Sequence, residues 1–290
     1  MTALSVGLTL AVIASLALNG SYLLQHAGSI RVPIVDPRHP IGTFVSLLTA
    51  PLWFAGLVLG LTGWALHVAA LTRAPLSLVQ AFVAGGLALT VPAARRWLRR
   101  PIGRREGLSV AGMAVALAVL PLGIGSHSAH ITPSGPAAVA FVVVAAAVPA
   151  GLAVSATRLE RPDLLAAAGG VLYGAADVAI KVLTGTFADH GLGGVLRSPW
   201  LLAAAALSLG AFFAFQRSLQ LASPVTAIAL MTAGTYVVSI AGALALLHDP
   251  LGHGAGLAGL HAAALAVVVA SAWVLSRSQA ELTRETAVAS

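Results

Sequence analysis

Runs of about twenty apolar residues, the length of a helix that crosses a bilayer, recur from Leu4 to Ser276 and leave only short polar stretches between them. A chain so divided has no stretch left for a soluble domain of ordinary size. Backbone amides in hydrocarbon must bond within their own segment, so each run is expected to be a helix. The composition agrees: 58% of residues are hydrophobic, 9% are charged, and the mean hydropathy is +0.94. The pattern predicts an all-α polytopic membrane protein with nine helices: Leu4 to His26, Phe44 to Leu71, Pro75 to Ala94, Gly107 to Gly125, Gly135 to Ala156, Asp163 to Thr184, Pro199 to Leu221, Pro224 to Leu247 and Gly254 to Ser276. The second run is too long for one crossing and too short for two. Pro51 is expected to mark its true start, because proline is favoured in a first helical turn. Ile41 to Ala50 is then an interfacial segment or a tilted extension. The opening MTALSVGLTL has no basic residue before its apolar stretch, which argues for a retained first helix rather than a cleaved signal.

The arginines test this count. With nine crossings, thirteen of the fifteen fall on one side, and only Arg73 and Arg197 on the other. The richer side is read as cytoplasmic, which puts the N-terminus outside and the C-terminus inside a multi-pass protein of the cytoplasmic membrane. The net charge of +7 is thereby a matter of membrane orientation, and no nucleic-acid partner is expected. Trp53, Trp97, Trp200 and Trp273 fall near helix ends, as interfacial anchors do, whereas Trp64, Tyr173 and Tyr236 lie deeper and are candidates to line a cavity.

One helix carries charge inside the membrane. In DLLAAAGGVLYGAADVAIKVLTG, Asp163 to Gly185, Asp177 lies about 3 Å and Lys181 about 9 Å from a midpoint near Ala175. A charge at that depth is expected to face the protein interior, water or an opposite charge. Tyr173, Asp177 and Lys181 are spaced i, i+4 and i+8 and share a stripe, so the two charges are expected to pair. That pair is either a structural lock or a coupling group, Asp177, with Lys181 as its counter-ion or as an anion ligand. The candidate substrate-binding or coupling residues are Tyr173, Asp177, Lys181, Tyr236, Trp64, Asn19 and Gln80. His127, His130, His248 and His253 gather on the outer side, where an outer metal or proton-sensing cluster is conceivable; ordinary interfacial histidine is the stronger reading.

The helices also group as four, one and four. Ala70-Leu71-Thr72-Arg73-Ala74-Pro75 precedes the third helix and Ser218-Leu219-Gln220-Leu221-Ala222-Ser223-Pro224 the eighth; Glu106-Gly107-Leu108-Ser109 opens the fourth and Asp249-Pro250-Leu251-Gly252 the ninth. The first member of each pair faces the opposite side of the membrane from the second. The expected organisation is therefore a first repeat over residues 1–134, a linking helix and loop over 135–162, a second, inverted repeat over 163–276, and a cytoplasmic tail over 277–290. Inverted repeats place a transporter's site near the midplane where the halves meet. Gly56-x-x-x-Gly60, Gly170-x-x-x-Gly174 and Gly252-x-x-x-Gly256 are read as close-packing contacts only.

With these features the chain is similar to the drug/metabolite transporter superfamily (DMT, EamA-like), and ALTRAPLSLVQ, residues 70–80, most resembles its NIPA-like branch, associated with magnesium transport. The acidic-x-Leu turns at Glu106 and Asp249 resemble the superfamily's Glu-containing turn. Asn19-Gly20-Ser21 and Gly174 resemble the glycine-bearing first helix of each half, and Lys181 matches a lysine often found toward that helix's end, where the first half has Gln25-His26. Nine crossings suit the NIPA-like branch better than the superfamily's usual ten.

No HExxH, GxxxxGK[ST] or GxSxG occurs, so zinc hydrolysis, ATP-driven pumping and serine hydrolysis are not suggested. With no cysteine there is no thiol chemistry either. The chain reads as a non-enzyme without cofactor. The leading expectation is a secondary transporter of a small polar solute by alternating access. The alternatives are a NIPA-like divalent cation transporter and a non-transporting scaffold. Asp177 is the only deep acid and Lys181 was placed to neutralise it, which weighs against a cation cage. Expected partners are a small-molecule or ion substrate and membrane lipid, with a homodimer left open.

Overall fold

A computed structural model describes residues 3–29, 42, 45, 47–97, 103–122, 133, 135–221, 224–250 and 254–289. Every regular element among them is helical: α1 (Ala3–Ser29), α2 (Pro51–Leu71), α3 (Leu76–Gly85), α4 (Leu87–Trp97), α5 (Arg104–Val119), α6 (Gly135–Arg158), α7 (Asp163–Arg197), α8 (Pro199–Leu221), α9 (Pro224–Ala245) and α10 (Ala255–Ala289). Six of these, α1, α2, α6, α7, α8 and α10, are long and apolar enough to cross a membrane, and Leu76–Leu89 and Ala229–Ala245 are shorter apolar helices. The protein is an all-α polytopic membrane protein.

Local chemistry sets several boundaries. Pro51 opens α2 from an extended Ala50, as a residue without a free N–H suits a first turn. The third expected helix, Pro75 to Ala94, is not continuous. It breaks at Gly86, the second of the glycine pair Gly85-Gly86, and the Ser15 hydroxyl donates to the Val83 carbonyl, which also accepts from Gly86 N. No side chain fits at Gly86, because Ser15 fills the place of a Cβ. The sixth expected helix, Asp163 to Thr184, continues to Arg197 as α7, with a turn at Gly191, whose φ of 63° glycine adopts without strain. α10 begins at Ala255, not at Asp249-Pro250.

α1 packs along α2, α7 lies between α8 and α9, and α10 lies against α5 and α9. The two ends of the chain meet around α3, which touches α1, α9 and α10. Eight of its ten residues from Leu76 to Gly85 besides Phe82 and Gly85 itself are buried side chains, Leu78, Val79, Gln80 and Ala81 among them. The α7–α9 contact depends on glycine: a Cβ at Gly170 would sit 2.5 Å from Met231 O, and one at Gly174 would sit 2.7 Å from Thr235 O. α6 is mostly turned outward, with Val139, Val143 and Val144 exposed, and packs on α7. Trp53 and Trp200 lie near helix ends as expected but are buried, not lipid-facing: Trp53 packs with Leu47, and the Trp200 ring lies 6.3 Å from that of Phe141. Trp273 meets a cation, the Arg277 guanidinium 5.6 Å from its ring centre.

Candidate transport site

A cavity of about 260 Å³ lies between α1, α2, α3, α7, α8 and α9. Six of the seven candidate residues line it: Asn19, Trp64, Gln80, Tyr173, Asp177 and Tyr236. The seventh, Lys181, does not.

Asp177 is the acidic side chain in the lining, and its two oxygens meet different surroundings. Oδ2 accepts hydrogen bonds from Gln80 Nε2 at 2.5 Å and from Ser239 Oγ at 3.0 Å. Oδ1 faces His67 Nε2 at 3.5 Å, beyond hydrogen-bond length. α3 brings Gln80, α9 brings Ser239 and α2 brings His67, so the carboxylate ties three helices to α7. Gly174, one turn before Asp177, lets α9 come close enough for Ser239 Oγ to reach both Gly174 O, at 3.3 Å, and the carboxylate. Asn19 Nδ2 donates to Ser15 O at 2.8 Å, beside the α3–α4 break. Toward the arginine-rich end, Gln216 Nε2 donates to Gln25 Oε1 at 3.1 Å.

The expected Asp177–Lys181 pair does not form. Lys181 Nζ donates instead to Leu71 O at 2.7 Å and Ala74 O at 2.9 Å. The physical reason is the end of α2, where carbonyls lack intrahelical partners and carry the negative end of the helix dipole. A long side chain rising outward from α7 reaches them, while the short Asp177 stays level with the cavity. Asp249 completes this clasp: its Oδ2 accepts from Ser77 N at 2.7 Å and Ser77 Oγ at 2.9 Å, capping the start of α3. Burial pushes the Asp249 carboxyl above its ordinary range, against the lowering by the Ser77 hydrogen bonds and the Lys181 charge. Glu106 acts on its own helix, accepting from Gly103 N at 2.8 Å.

His67 is the residue that sequence reasoning missed. It is buried, lines the cavity, and has no hydrogen-bond partner for either ring nitrogen among the described residues. The available signal was its spacing: it follows Trp64 by three positions and so shares that residue's face. Ser239 carried no sequence signal. Of the outer histidines, His248 is exposed after α9, and His127, His130 and His253 lie outside the described residues. No group of three or more histidines and acids forms a metal cage among the described residues. A second, apolar cavity of about 560 Å³ lies between α2, α7 and α8 and shares Trp64 with the first.

A family model described as magnesium transporter NIPA matches residues 2–102, which hold α1 to α4 and the ALTRAPLSLVQ segment. This part of the chain is similar to that family. NIPA proteins belong to the DMT/EamA-like superfamily, so the match agrees with the resemblance noted from the turns and glycines. No curated protein and no solved structure matches the chain. The NIPA-like segment supplies Asn19, Trp64, His67 and Gln80 to the cavity, while Tyr173, Asp177 and Tyr236 come from beyond it. A multi-pass membrane transporter is the activity that the match supports, with an ion or a small molecule as its substrate.

Proposed function

We propose that the chain is a NIPA-like divalent-cation transporter of the cytoplasmic membrane, in which two inverted halves alternate access to the central cavity. The observation that carries this reading is the separation of Asp177 from Lys181. With the ammonium engaged by the Leu71 and Ala74 carbonyls, the carboxylate is held by the neutral donors Gln80 and Ser239. An ionised carboxylate left among neutral groups near mid-membrane draws a cation, and a functional role is the ordinary meaning of such a residue. The match to the magnesium transporter family supports the same substrate class. Amide and hydroxyl groups around the cavity, Asn19, Gln80, Thr232 and Thr235, suit an ion that keeps part of its water.

The expected transport of a small polar solute keeps one observation in its favour, the aromatic lining by Trp64, Tyr173 and Tyr236. Proteoliposomes separate the two. Magnesium added outside vesicles loaded with a magnesium-sensitive dye is expected to raise the signal with the wild type and not with Asp177→Asn. Exchange of a polar metabolite without any divalent flux would return the solute reading to first place. Orientation is tested apart from transport: since the chain has no cysteine, impermeant maleimide is expected to label Ser126→Cys from outside and not Gly103→Cys.

A further inference from the structure

We propose that His67 and Asp177 together form a two-ligand site for a tetrahedral first-row cation of the zinc(II) or cobalt(II) class, so that the cavity prefers such ions to magnesium. The inference rests on the divalent-cation reading and narrows its substrate class. Two observations carry it.

The first is an orphaned imidazole. His67 is 4% exposed, and neither ring nitrogen has a hydrogen-bond partner among the described residues, although it lines a polar cavity. An imidazole nitrogen with no hydrogen-bond partner has a lone pair to offer, and imidazole is a ligand for borderline metals rather than for magnesium.

The second is a length. His67 Nε2 and Asp177 Oδ1 are 3.5 Å apart, too far for a hydrogen bond and close enough to share an ion. With metal–ligand bonds of about 2.1 Å, a span of that size subtends about 113° at the metal, near the tetrahedral angle. Two neighbouring ligands of octahedral magnesium subtend a right angle and would stand about 3.0 Å apart. The other carboxylate oxygen is already taken by Gln80 and Ser239, which fix the direction of Oδ1 as outer partners of a metal ligand do. Water fills the two remaining positions, and a site with two protein ligands and exchangeable water releases its ion more readily than a closed structural site.

The test uses the full-length wild-type chain and two variants, His67→Gln and His67→Met, in lipid nanodiscs, titrated with cobalt(II) and, separately, with magnesium. Methionine fills the ring's place without orphaned nitrogens, and either variant that elutes as a single species with wild-type circular dichroism is enough. We expect cobalt(II) to give saturable visible absorption bands of tetrahedral strength and a Kd at least about tenfold below that of magnesium in the wild type. The variants should weaken cobalt binding about 10- to 100-fold, a larger factor than any loss of magnesium binding. Equal wild-type affinities for the two ions, weak octahedral bands, or cobalt affinity untouched in a folded variant would each overturn the proposal. The affinity ratio needs no variant, so it decides the matter even where neither variant folds. Failure of the transport reading looks different: cobalt then binds at His67, but neither ion enters proteoliposomes.

Discussion

Two charged side chains one helical turn apart on α7 live in opposite circumstances. Lys181 is held, its ammonium shared by the carbonyls of Leu71 at the end of α2 and of Ala74 in the turn before α3, with the Asp249 carboxylate nearby at the start of α3. Asp177 is half occupied: one oxygen is held by Gln80 and Ser239 and the other faces an unpartnered histidine across 3.5 Å. A satisfied buried charge holds helices in place, whereas a partly satisfied one stores affinity for something that arrives. On the proposed reading the same helix carries a clasp and a site. Sequence spacing alone had joined them into one ion pair.

If that division is right, the two positions fail in different ways. The largest effect is expected at the site: Asp177→Asn keeps the shape and the Gln80 contact but removes the charge, so divalent flux should fall about 100-fold, near the upper end of ordinary site coupling, while thermal stability stays close to wild type. Flux persisting in that variant would dissolve the comparison. At the clasp, Lys181→Met strips the two carbonyls and leaves the Asp249 carboxylate without its cation, a loss of about 3 kcal/mol. It should appear as a lowered Tm and less folded protein, with flux per folded molecule largely kept. A large loss of flux at unchanged Tm would make Lys181 part of the site instead.

Between these lies Gly174→Val, which lengthens the α7–α9 contact that brings Ser239 to the carboxylate; a Cβ there would meet Val238 Cβ at 2.7 Å. Overpacking of this kind costs about 1–3 kcal/mol and should lower Tm and flux together, since it disturbs packing and site at once. Ser77→Ala removes one of the two donors to Asp249 and is expected to cost about 1 kcal/mol, read as a small drop in Tm. The smallest effect is a pH dependence. Because burial raises the Asp249 carboxyl above its ordinary 3.8, folding favours its protonated form, so this group's contribution is complete below that value and is lost as pH rises through the folded-state value. Against Asp249→Asn, the wild type should lose relative stability as pH rises above about 4; an identical pH profile for the two would refute the burial effect.

Legibility differed between backbone and site. Helix class was readable because hydrocarbon forces every crossing into a long apolar run, and Pro51 announced the start of α2. Six of the candidate residues line one cavity, five of them polar side chains and the sixth the half-exposed Trp64. Polarity in a membrane helix points inward regardless of partner, which is why that choice needed no tertiary information. The break at Gly86 escaped notice because a glycine pair is common in such a chain; only Ser15 across the contact makes it a break. His67 escaped because a lone histidine in the last turns of an apolar helix is indistinguishable from one at an interface until its neighbours are known.

The residues by themselves determined that this chain is a helical membrane protein, where most of its helices begin, and which polar groups must turn from lipid, since each of these follows from local hydropathy, turn chemistry or the cost of a charge in hydrocarbon. Which partner each buried charge takes was decided by tertiary structure alone. An i, i+4 spacing brings two side chains within reach, but hydrogen-bond geometry selects among all groups within reach, and most of those come from helices distant in sequence. For Lys181 the nearer acceptors were carbonyls more than a hundred residues upstream. That choice left Asp177 facing His67.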